Sequence, residues 1–456
     1  MRKWLRRGLW TLVILTASNL VAVLCSLPLY YQVTGGCFLL ASLILLALLT
    51  LVLVRPLGRS PLPTRRIRQL AAGVELLRLF LVTTTADLVT TLWFFCLLTP
   101  WAGVDGIVWL GITAHVLLVA AVEAAVFWAG MIRVYITSVQ LGLKHRVLAA
   151  LCGWIPLVNI WYLCKIIRIA SDEVEFETVK WEIDAARAES EICKTRYPLL
   201  MVHGVFFRDF RYVNYWGRIP RELTRNGATV YYGGQQSAAA VEDSGKELAA
   251  RIRRIVEETG CGKVNIIAHS KGGLDSRAAI AHCGMAPYVA TLTTINTPHR
   301  GCVFAEYLLD KIPQAMRQRI ADTYNATLKR LGDENPDFLV AVTDLTASAC
   351  EERNAVTPDD PGVVYESVMS YCEKAQHGKF PLNMTHPIVR YFDGRNDGLV
   401  AVDSAKWGSR FTLLEPSGKR GISHGDVVDL NRENIPGFDV REFYVNLVAD
   451  LKRRGF

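Results

Sequence analysis

Residues 263–273, KVNIIAHSKGG, combine the signals of a buried strand, a tight turn and a helix. The apolar, β-branched run at 264–267 is typical of a strand, and the two glycines allow a sharp turn into a helix predicted at about 274–283. A serine in such a turn has its hydroxyl held clear of the backbone, close to the first amides of the helix. Ser270 is therefore the candidate nucleophile. Because A-x-S-x-G also occurs by chance in strand-to-helix turns, the rest of the chain has to decide.

Charged and apolar residues divide the 456-residue chain into two unlike parts. The net charge is +8, and the excess of positive charge lies entirely in residues 1–170, where 15 Lys and Arg stand against 4 Asp and Glu. These basic residues flank long apolar runs, as at the ends of membrane helices, and form no continuous basic stripe. The pattern argues against nucleic acid as a partner and for a membrane bilayer.

Four apolar runs in the first part are long enough, at about 20 residues, to cross a bilayer as helices. They lie at about 9–29, 36–54, 76–98 and 106–132. The first run follows basic residues, but a second run comes at once and no good cleavage site separates them, so we interpret it as a retained anchor. We expect residues 1–170 to form an all-α, multi-span transmembrane domain, and the protein to be an integral protein of a bacterial-type plasma membrane.

The distribution of positive charge predicts the orientation of these helices. Basic residues are concentrated before the first run, between the second and third, and after the fourth, so these segments are predicted to be cytoplasmic. The segment 147–170 is apolar but contains Pro156 and Asn159 and has basic flanks at both ends, which favours an interfacial segment over a fifth span. The interfacial interpretation leaves the C-terminal domain in the cytoplasm, in agreement with scattered cysteines that lack metal-ligand spacing. A fifth span would place that domain outside the cell.

Two carboxylates and a histidine lie within the apolar runs. Asp87 and Glu123 lie within the third and fourth runs, as does His115 within the fourth. A carboxylate at membrane depth is a candidate functional site. Because the sequence shows no partner base for either carboxylate, we interpret all three residues as helix-to-helix contacts.

Composition changes again after residue 170. Residues 171–195 are predicted to form an acidic, helical connector. In residues 196–456, strands alternate with helices, which predicts one α/β domain with a mostly parallel sheet covered on both faces. The predicted strands lie at 197–203, 228–232, 264–267, 289–295 and 387–392, and further helices at 216–226 and 242–259.

Several motifs follow one another in this second part. They are YPLLMVHG (197–204), YWGRIPRELTRNGATVY (215–231), KVNIIAHSKGG (263–273), TPHRG (297–301), DLT (344–346), GVVYESV (362–368), NDGLV (396–400) and SHGD (423–426). In this order they resemble the bacterial true-lipase family of α/β-hydrolases, which includes the Pseudomonas, Burkholderia and staphylococcal lipases. The resemblance covers about residues 196–456 and does not extend into the apolar part. It implies an α/β-hydrolase fold with a helical cap or lid at about 302–386.

The resemblance also assigns catalytic roles. A serine hydroxyl needs an imidazole base and a carboxylate that fixes the base's tautomer, and this fold supplies them in the order Ser, Asp, His. Asp397 matches the family's acid and His424 its base, whereas Asp393 and Asp403 are weaker candidates for the acid. The backbone N–H groups of Val205 and Lys271 match the oxyanion hole. The Lys271 side chain is expected to be solvated, and binding of an anionic head group is the alternative. Histidines 203 and 269 are expected to be structural.

Two departures from the family pattern concern the nucleophile and the metal. Ala268 replaces the first glycine of G-x-S-x-G, a change that a small side chain should tolerate. Asp426 matches one carboxylate of the calcium site found in Pseudomonas-like members, but Leu430 stands four positions further on and no second aspartate precedes NDGLV. We therefore predict no cofactor, with Asp426 as the single calcium candidate.

Together these observations predict a membrane-anchored serine esterase or lipase. Its substrates would be carboxylic esters of lipids, either acylglycerols or phospholipid-like esters, and the reaction would pass through an acyl-enzyme. A thioesterase or an acyltransferase acting on lipid acyl groups is an alternative within the same chemistry. A non-catalytic membrane scaffold with a hydrolase fold is the alternative of a different class, although a scaffold has no need of a complete triad and oxyanion loop.

Overall fold

The computed structural model describes residues 3–26, 35–58, 62–98, 106–155, 157–205, 214–330, 333–415 and 417–456. These residues form two compact units, Met1–Ile183 and Asp184–Phe456. The end of the first predicted span, residues 27–29, lies outside the described residues, as do Pro156 and residues 206–213.

The first unit is built from helices. They are α1 (Lys3–Ser18), α2 (Leu20–Ser26), α3 (Gly35–Val54), α4 (Arg65–Leu98), α5 (Gly106–Thr137), α6 (Gly142–Cys152) and α7 (Val158–Arg187). The second, third and fourth apolar runs each lie within one helix, whereas the first is divided between α1 and α2 at Asn19. The segment predicted to be interfacial holds the end of α6 and the start of α7, and α7 continues without a break at residue 170 into the acidic connector.

Two of the described helices are long and apolar enough to cross a membrane, Arg65–Cys96 and Trp109–Thr137. They contain 32 and 29 residues, more than the roughly 20 that a bilayer requires. Large apolar side chains on α3, α4 and α5 face outward, among them Leu43, Leu88 and Leu117. Such an exposed apolar surface suits contact with lipid. An arrangement of four spans stays a prediction.

The polar residues of this unit join neighbouring helices. Asp87 of α4 accepts a hydrogen bond of 2.9 Å from the hydroxyl of Ser18 in α1. Glu123 of α5 accepts one of 2.7 Å from Thr84 in α4. The Nε2 atom of His115, also in α5, lies 3.1 Å from the hydroxyl of Thr91 in α4. These contacts agree with the interpretation that the three residues hold helices together.

The second unit contains a six-stranded parallel sheet with the order β2-β1-β3-β4-β5-β6. The strands are β1 (Leu199–Val202), β2 (Val230–Tyr232), β3 (Val264–His269), β4 (Val289–Ile295), β5 (Val364–Ser370) and β6 (Arg410–Leu414). The helices are α8 (Ile219–Arg225), α9 (Val241–Thr259), α10 (Lys271–His282), α11 (Val303–Lys311), α12 (Gln314–Arg330), α13 (Phe338–Thr343), α14 (Ala347–Val356), α15 (Leu382–Asp393) and α16 (Val440–Arg453).

Helices cover both faces of this sheet, because successive side chains of a strand point to opposite faces. Leu199 and Met201 belong to an apolar cluster that includes residues of α8 and α16. Leu200 and Val202 belong to a second cluster with residues of α9 and α10. A parallel sheet covered in this way confirms the α/β class expected from the sequence.

The structure corrects three expectations for this unit. The strand predicted at 387–392 is wrong, because these residues lie in helix α15, which contains Pro387 and buries His386 and Val389. The cap predicted at 302–386 is interrupted, because β5 belongs to the central sheet; the helices α11–α14 before it end at Val356. Strands β5 and β6 were not among the predicted strands; β6 is short and only partly buried.

Candidate active site

The chain turns sharply at Ser270, between the last residue of β3 and the first of α10. Ser270 has φ 54° and ψ −131°, a conformation that side-chain-bearing residues rarely adopt. Such strain costs about 1–3 kcal/mol and is typically kept where it serves a function. The turn requires glycines nearby. A Cβ atom at Gly204 would lie 2.7 Å from the Cβ of Ser270, and a Cβ atom at Gly272 would lie 2.4 Å from the main-chain oxygen of His203, directly after β1.

The second part of the site is an aspartate and histidine pair. The Nδ1 atom of His424 lies 2.7 Å from Oδ2 of Asp397, and Asp397 is fully buried. The other carboxylate oxygen of Asp397 accepts hydrogen bonds from the backbone amides of Leu399 and Val400, at 2.9 and 2.8 Å. With Asp397 accepting at Nδ1, the Nε2 atom of the imidazole is left as a proton acceptor.

A residue that the sequence analysis missed completes this carboxylate's surroundings. Asn296 follows β4 with a positive φ of 47°, and its side-chain amide donates to Oδ2 of Asp397 at 2.5 Å and to the hydroxyl of Ser370 at 2.7 Å. Its own carbonyl oxygen accepts from the Ser370 amide at 3.0 Å, which fixes the amide's orientation. The only signal in the sequence is an Asn-Thr-Pro turn directly after a buried strand, where the carboxyl end of a parallel strand faces the site.

The two residues expected to form the oxyanion hole lie beside the nucleophile. Val205 follows β1 and lines the same cavity as Ser270 and His424. Lys271 is the first residue of α10, and the amides of a helix's first turn have no partner within the helix. Both residues thus lie close to Ser270, and their role as an oxyanion hole stays a prediction.

The side chain of Lys271 contradicts the expectation that it is solvated. It is 1 % exposed, and its ammonium donates to Asp275 at 2.6 Å and to Ser244 at 3.1 Å. Burial raises the pKa of Asp275 to about 7, and the positive charge of Lys271 opposes that rise. The pair lies one turn into α10 and ties the nucleophile's helix to α9, so Lys271 is not placed to bind a substrate's head group.

The two histidines expected to be structural lie in the interior. His269 is buried, and its Nδ1 atom forms a 2.6 Å hydrogen bond with the Tyr215 hydroxyl. Its ring packs against the His424 ring, with 4.4 Å between the ring centroids. Burial, with the neighbouring imidazole of His424, lowers the pKa of His269 well below its usual value. His269 therefore stays neutral, and its ring packs against that of His424.

The other sequence candidates have partners of their own. Asp393 accepts hydrogen bonds from the amides of Val303 and Phe304, at 3.0 and 3.1 Å, and so caps α11. Asp403 forms an exposed ion pair with Lys406. No hydrogen bond joins either carboxylate to His424 among the described residues, whereas Asp397 forms one, so the geometry favours Asp397 as the acid.

The calcium candidate has a different role. The Asp426 carboxylate accepts from the backbone and the hydroxyl of Ser423 and forms an ion pair with Arg420 at 2.9 Å. A carboxylate already neutralised by an arginine does not fit a calcium site. Within the described part of the chain, no group of three or more His, Cys, Asp or Glu side chains is arranged to hold a metal ion.

A cavity of about 460 Å³ opens above the nucleophile. Ser270 and His424 lie in its wall, together with Val205. Helices α11, α12 and α13 supply nine of the other lining residues, and the apolar ones among them include Leu308, Leu309, Ile320, Leu339 and Val342. Apolar walls around a few polar groups are typical of a binding site for a small, largely hydrophobic molecule.

Known proteins share this part of the chain. A family model described as "Putative serine esterase (DUF676)" matches residues 208–334, which include Ser270 but neither Asp397 nor His424. A triacylglycerol lipase of Burkholderia plantarii is 34% identical over 187 residues, which cover 38% of this chain and 51% of that protein. The resemblance to bacterial triacylglycerol lipases is confirmed. The apolar N-terminal part of the chain is not recognised by this resemblance.

The lipase-like region has more distant relatives as well. Triacylglycerol lipase 2 of Saccharomyces cerevisiae is 27% identical over 263 residues, covering 54% of this chain and 75% of the yeast protein. The crystal structure of Staphylococcus hyicus lipase shares 17% identity, covers 57% of this chain and 97% of its own, and superposes with a TM-score of 0.43. The chain spans only about half the length of the bacterial relatives, 51% and 54% for the Burkholderia and Pseudarthrobacter phenanthrenivorans lipases.

Proposed function

We propose that this chain is a membrane-anchored serine hydrolase that cleaves carboxylic esters of lipids through an acyl-enzyme. The observation that supports the proposal is that Ser270 and His424 both line one apolar cavity, while the buried Asp397 is hydrogen-bonded to His424 from behind. The Burkholderia and Pseudarthrobacter relatives are both named triacylglycerol lipases, which supports the same chemistry.

In the proposed reaction, Nε2 of His424 removes the proton of the Ser270 hydroxyl as its oxygen attacks the ester carbonyl. Asp397 holds the imidazole through Nδ1 and stabilises its protonated form. The amides of Val205 and Lys271 donate to the oxyanion, an interaction worth roughly 3 kcal/mol per donor. His424 then protonates the leaving alcohol, and a water molecule activated by the same base releases the acid.

Membrane anchoring is the second element of the proposal. It is supported by the two helices long enough to span a bilayer and by the outward-facing leucines on α3, α4 and α5. Basic flanks contribute about 1 kcal/mol per Lys or Arg against anionic lipid. With the interfacial interpretation of 147–170, the hydrolase unit would act on esters of the inner leaflet.

A fluorophosphonate probe tests the proposed nucleophile. Wild-type protein should be labelled and the Ser270→Ala variant should not. Ser276→Ala is the matched control, because Ser276 is a buried serine of the same helix whose hydroxyl only donates to a main-chain oxygen. Labelling that survives Ser270→Ala would reject the assignment.

A panel of esters with graded acyl chains, offered to the purified protein, tests the reaction itself. We expect hydrolysis of lipid esters by wild type and none by Ser270→Ala. Probe labelling without hydrolysis of any ester, but with acyl transfer to an added alcohol or thiol, would replace the hydrolase with an acyltransferase.

A further inference from the structure

Two basic residues line the cavity above Ser270, Arg317 and Lys379, and the described part of the lining contains no Asp or Glu. Lys379 is compensated, because Glu433 forms an ion pair with it outside the lining. No carboxylate of the described residues pairs with Arg317. Its Nε atom is buried and has no hydrogen-bond partner in the described part of the structure. Among the described residues, the positive charge of Arg317 in the cavity wall therefore has no carboxylate beside it.

Two other partly sheltered arginines of the same unit differ from Arg317 because each is paired with a carboxylate. Arg218 forms an ion pair with Asp429 at 2.8 Å, and Arg353 forms one with Asp344 at 2.9 Å. Removing a guanidinium N–H from water without giving it an acceptor is unfavourable, and arginine forks bind carboxylate and phosphate oxygens in a matching geometry. Arg317 thus has the chemistry of an anion-binding residue whose partner does not come from the described chain.

We infer that Arg317 binds a phosphate group of the substrate, so that the preferred ester is an acyl lipid bearing a phosphate, not a neutral acylglycerol. This inference rests on the proposed function. The apolar side chains of α11–α13 would receive the acyl chain, and Arg317 on α12 would receive the anion. A neutral acylglycerol offers the guanidinium only uncharged ester and hydroxyl oxygens, whereas a phosphate offers a charge-assisted hydrogen bond, which is the stronger interaction.

The test compares two substrates with the same acyl chain, dodecanoylglycerol and dodecanoylglycerol phosphate. Both are presented to the purified full chain in the same neutral detergent micelles, so that the interface carries no charge of its own. The readout is the ratio of kcat/KM for the phosphate ester to kcat/KM for the neutral ester. We expect a ratio above 10 in wild type, and a fall of about 10- to 100-fold in Arg317→Ala, as for loss of a charged hydrogen bond.

Arg319→Ala is the matched control. Arg319 lies on the same helix and is exposed, and it does not line the cavity. Its removal changes the net charge equally but should leave the ratio unchanged. Arg317→Lys keeps the charge without the fork and should restore part of the ratio; it also serves if the alanine variant does not fold.

Each remaining outcome contradicts the inference in a distinct way. Equal ratios in wild type and Arg317→Ala would overturn it while leaving the esterase in place. A ratio that falls equally in Arg319→Ala would assign the effect to general charge. Inhibition of neutral ester cleavage by free dodecanoate in wild type alone, without preference for the phosphate ester, would assign Arg317 to the product's carboxylate. Absence of hydrolysis together with absence of probe labelling would overturn the proposed function itself.

Discussion

Replacing Asp397 with asparagine should remove the general base without removing the fold. One carboxylate oxygen accepts two backbone amides, those of Leu399 and Val400, so the carbonyl oxygen of the new amide must take that position. Its NH₂ group then faces His424, which becomes an acceptor at Nδ1 and must carry its proton on Nε2. The imidazole can no longer take the proton of Ser270.

The expected loss is about 10⁴-fold in kcat, equal to roughly 5 kcal/mol of transition-state stabilisation. The new NH₂ group also meets the amide of Asn296, which donated to the carboxylate at 2.5 Å, so we expect a further loss of about 1–3 kcal/mol in the free energy of unfolding. A soluble short-chain ester measures kcat, and a melting curve measures stability. Asp393→Asn is the control, because that carboxylate caps α11 and does not touch His424. A larger loss of kcat in Asp393→Asn than in Asp397→Asn would refute the assignment of the acid.

Two further predictions concern the buried ion pair and the side of the membrane. Burial raises the pKa of Asp275 to about 7, so between about pH 4 and pH 7 the folded protein holds a proton that the unfolded chain releases. This contribution to stability is complete below the pKa of the unfolded chain and is lost as pH rises towards 7. The melting temperature should therefore fall less between pH 5 and pH 7.5 in Asp275→Asn than in wild type. The exposed Asp243→Asn is the control and should behave as wild type. A variant that retains only Cys261, which is partly exposed, should resist a membrane-impermeant thiol reagent in intact cells and react after permeabilisation, whereas reaction in intact cells would place the hydrolase unit outside.

The parts of the fold that the sequence predicts are those whose local pattern and final environment agree. Strand β4 lies where its apolar run predicts it, Val289–Ile295, because all seven of its residues are buried. Residues 387–392 mislead for the opposite reason. Their apolar and aromatic run reads as a strand, and a proline within a helix is unusual. In the structure, burial recurs at helical spacing, at His386 and Val389 of α15, and this tertiary preference decides the outcome.

The candidate site shows the same division. Ser270 can be found from its turn alone, and Asp397 and His424 follow from motifs in a fixed order. Asn296 cannot be found in this way, because its role depends on β4 and the loop of Asp397 meeting at the carboxyl edge of the sheet, 101 positions apart in the chain. The burial of Lys271 is likewise a tertiary fact: an i,i+4 pairing with Asp275 is compatible with a surface helix, and only the packing of α9 over α10 removes both charges from water.

The helix that follows the nucleophile is much more buried than the helices α11 and α12 that line the cavity. Ten of the twelve residues of α10 are buried, which holds the strained turn at Ser270 in place. In contrast, α12 buries only Ala321 and Leu328 among its 17 residues, and α11 buries none. Segments with few buried apolar contacts open at a lower free energy than the core. Helices α11 and α12 supply six of the residues that line the cavity. We therefore expect this part of the wall to open at a lower free energy than the turn at Ser270, which hydrogen exchange of the α12 and α10 amides would measure.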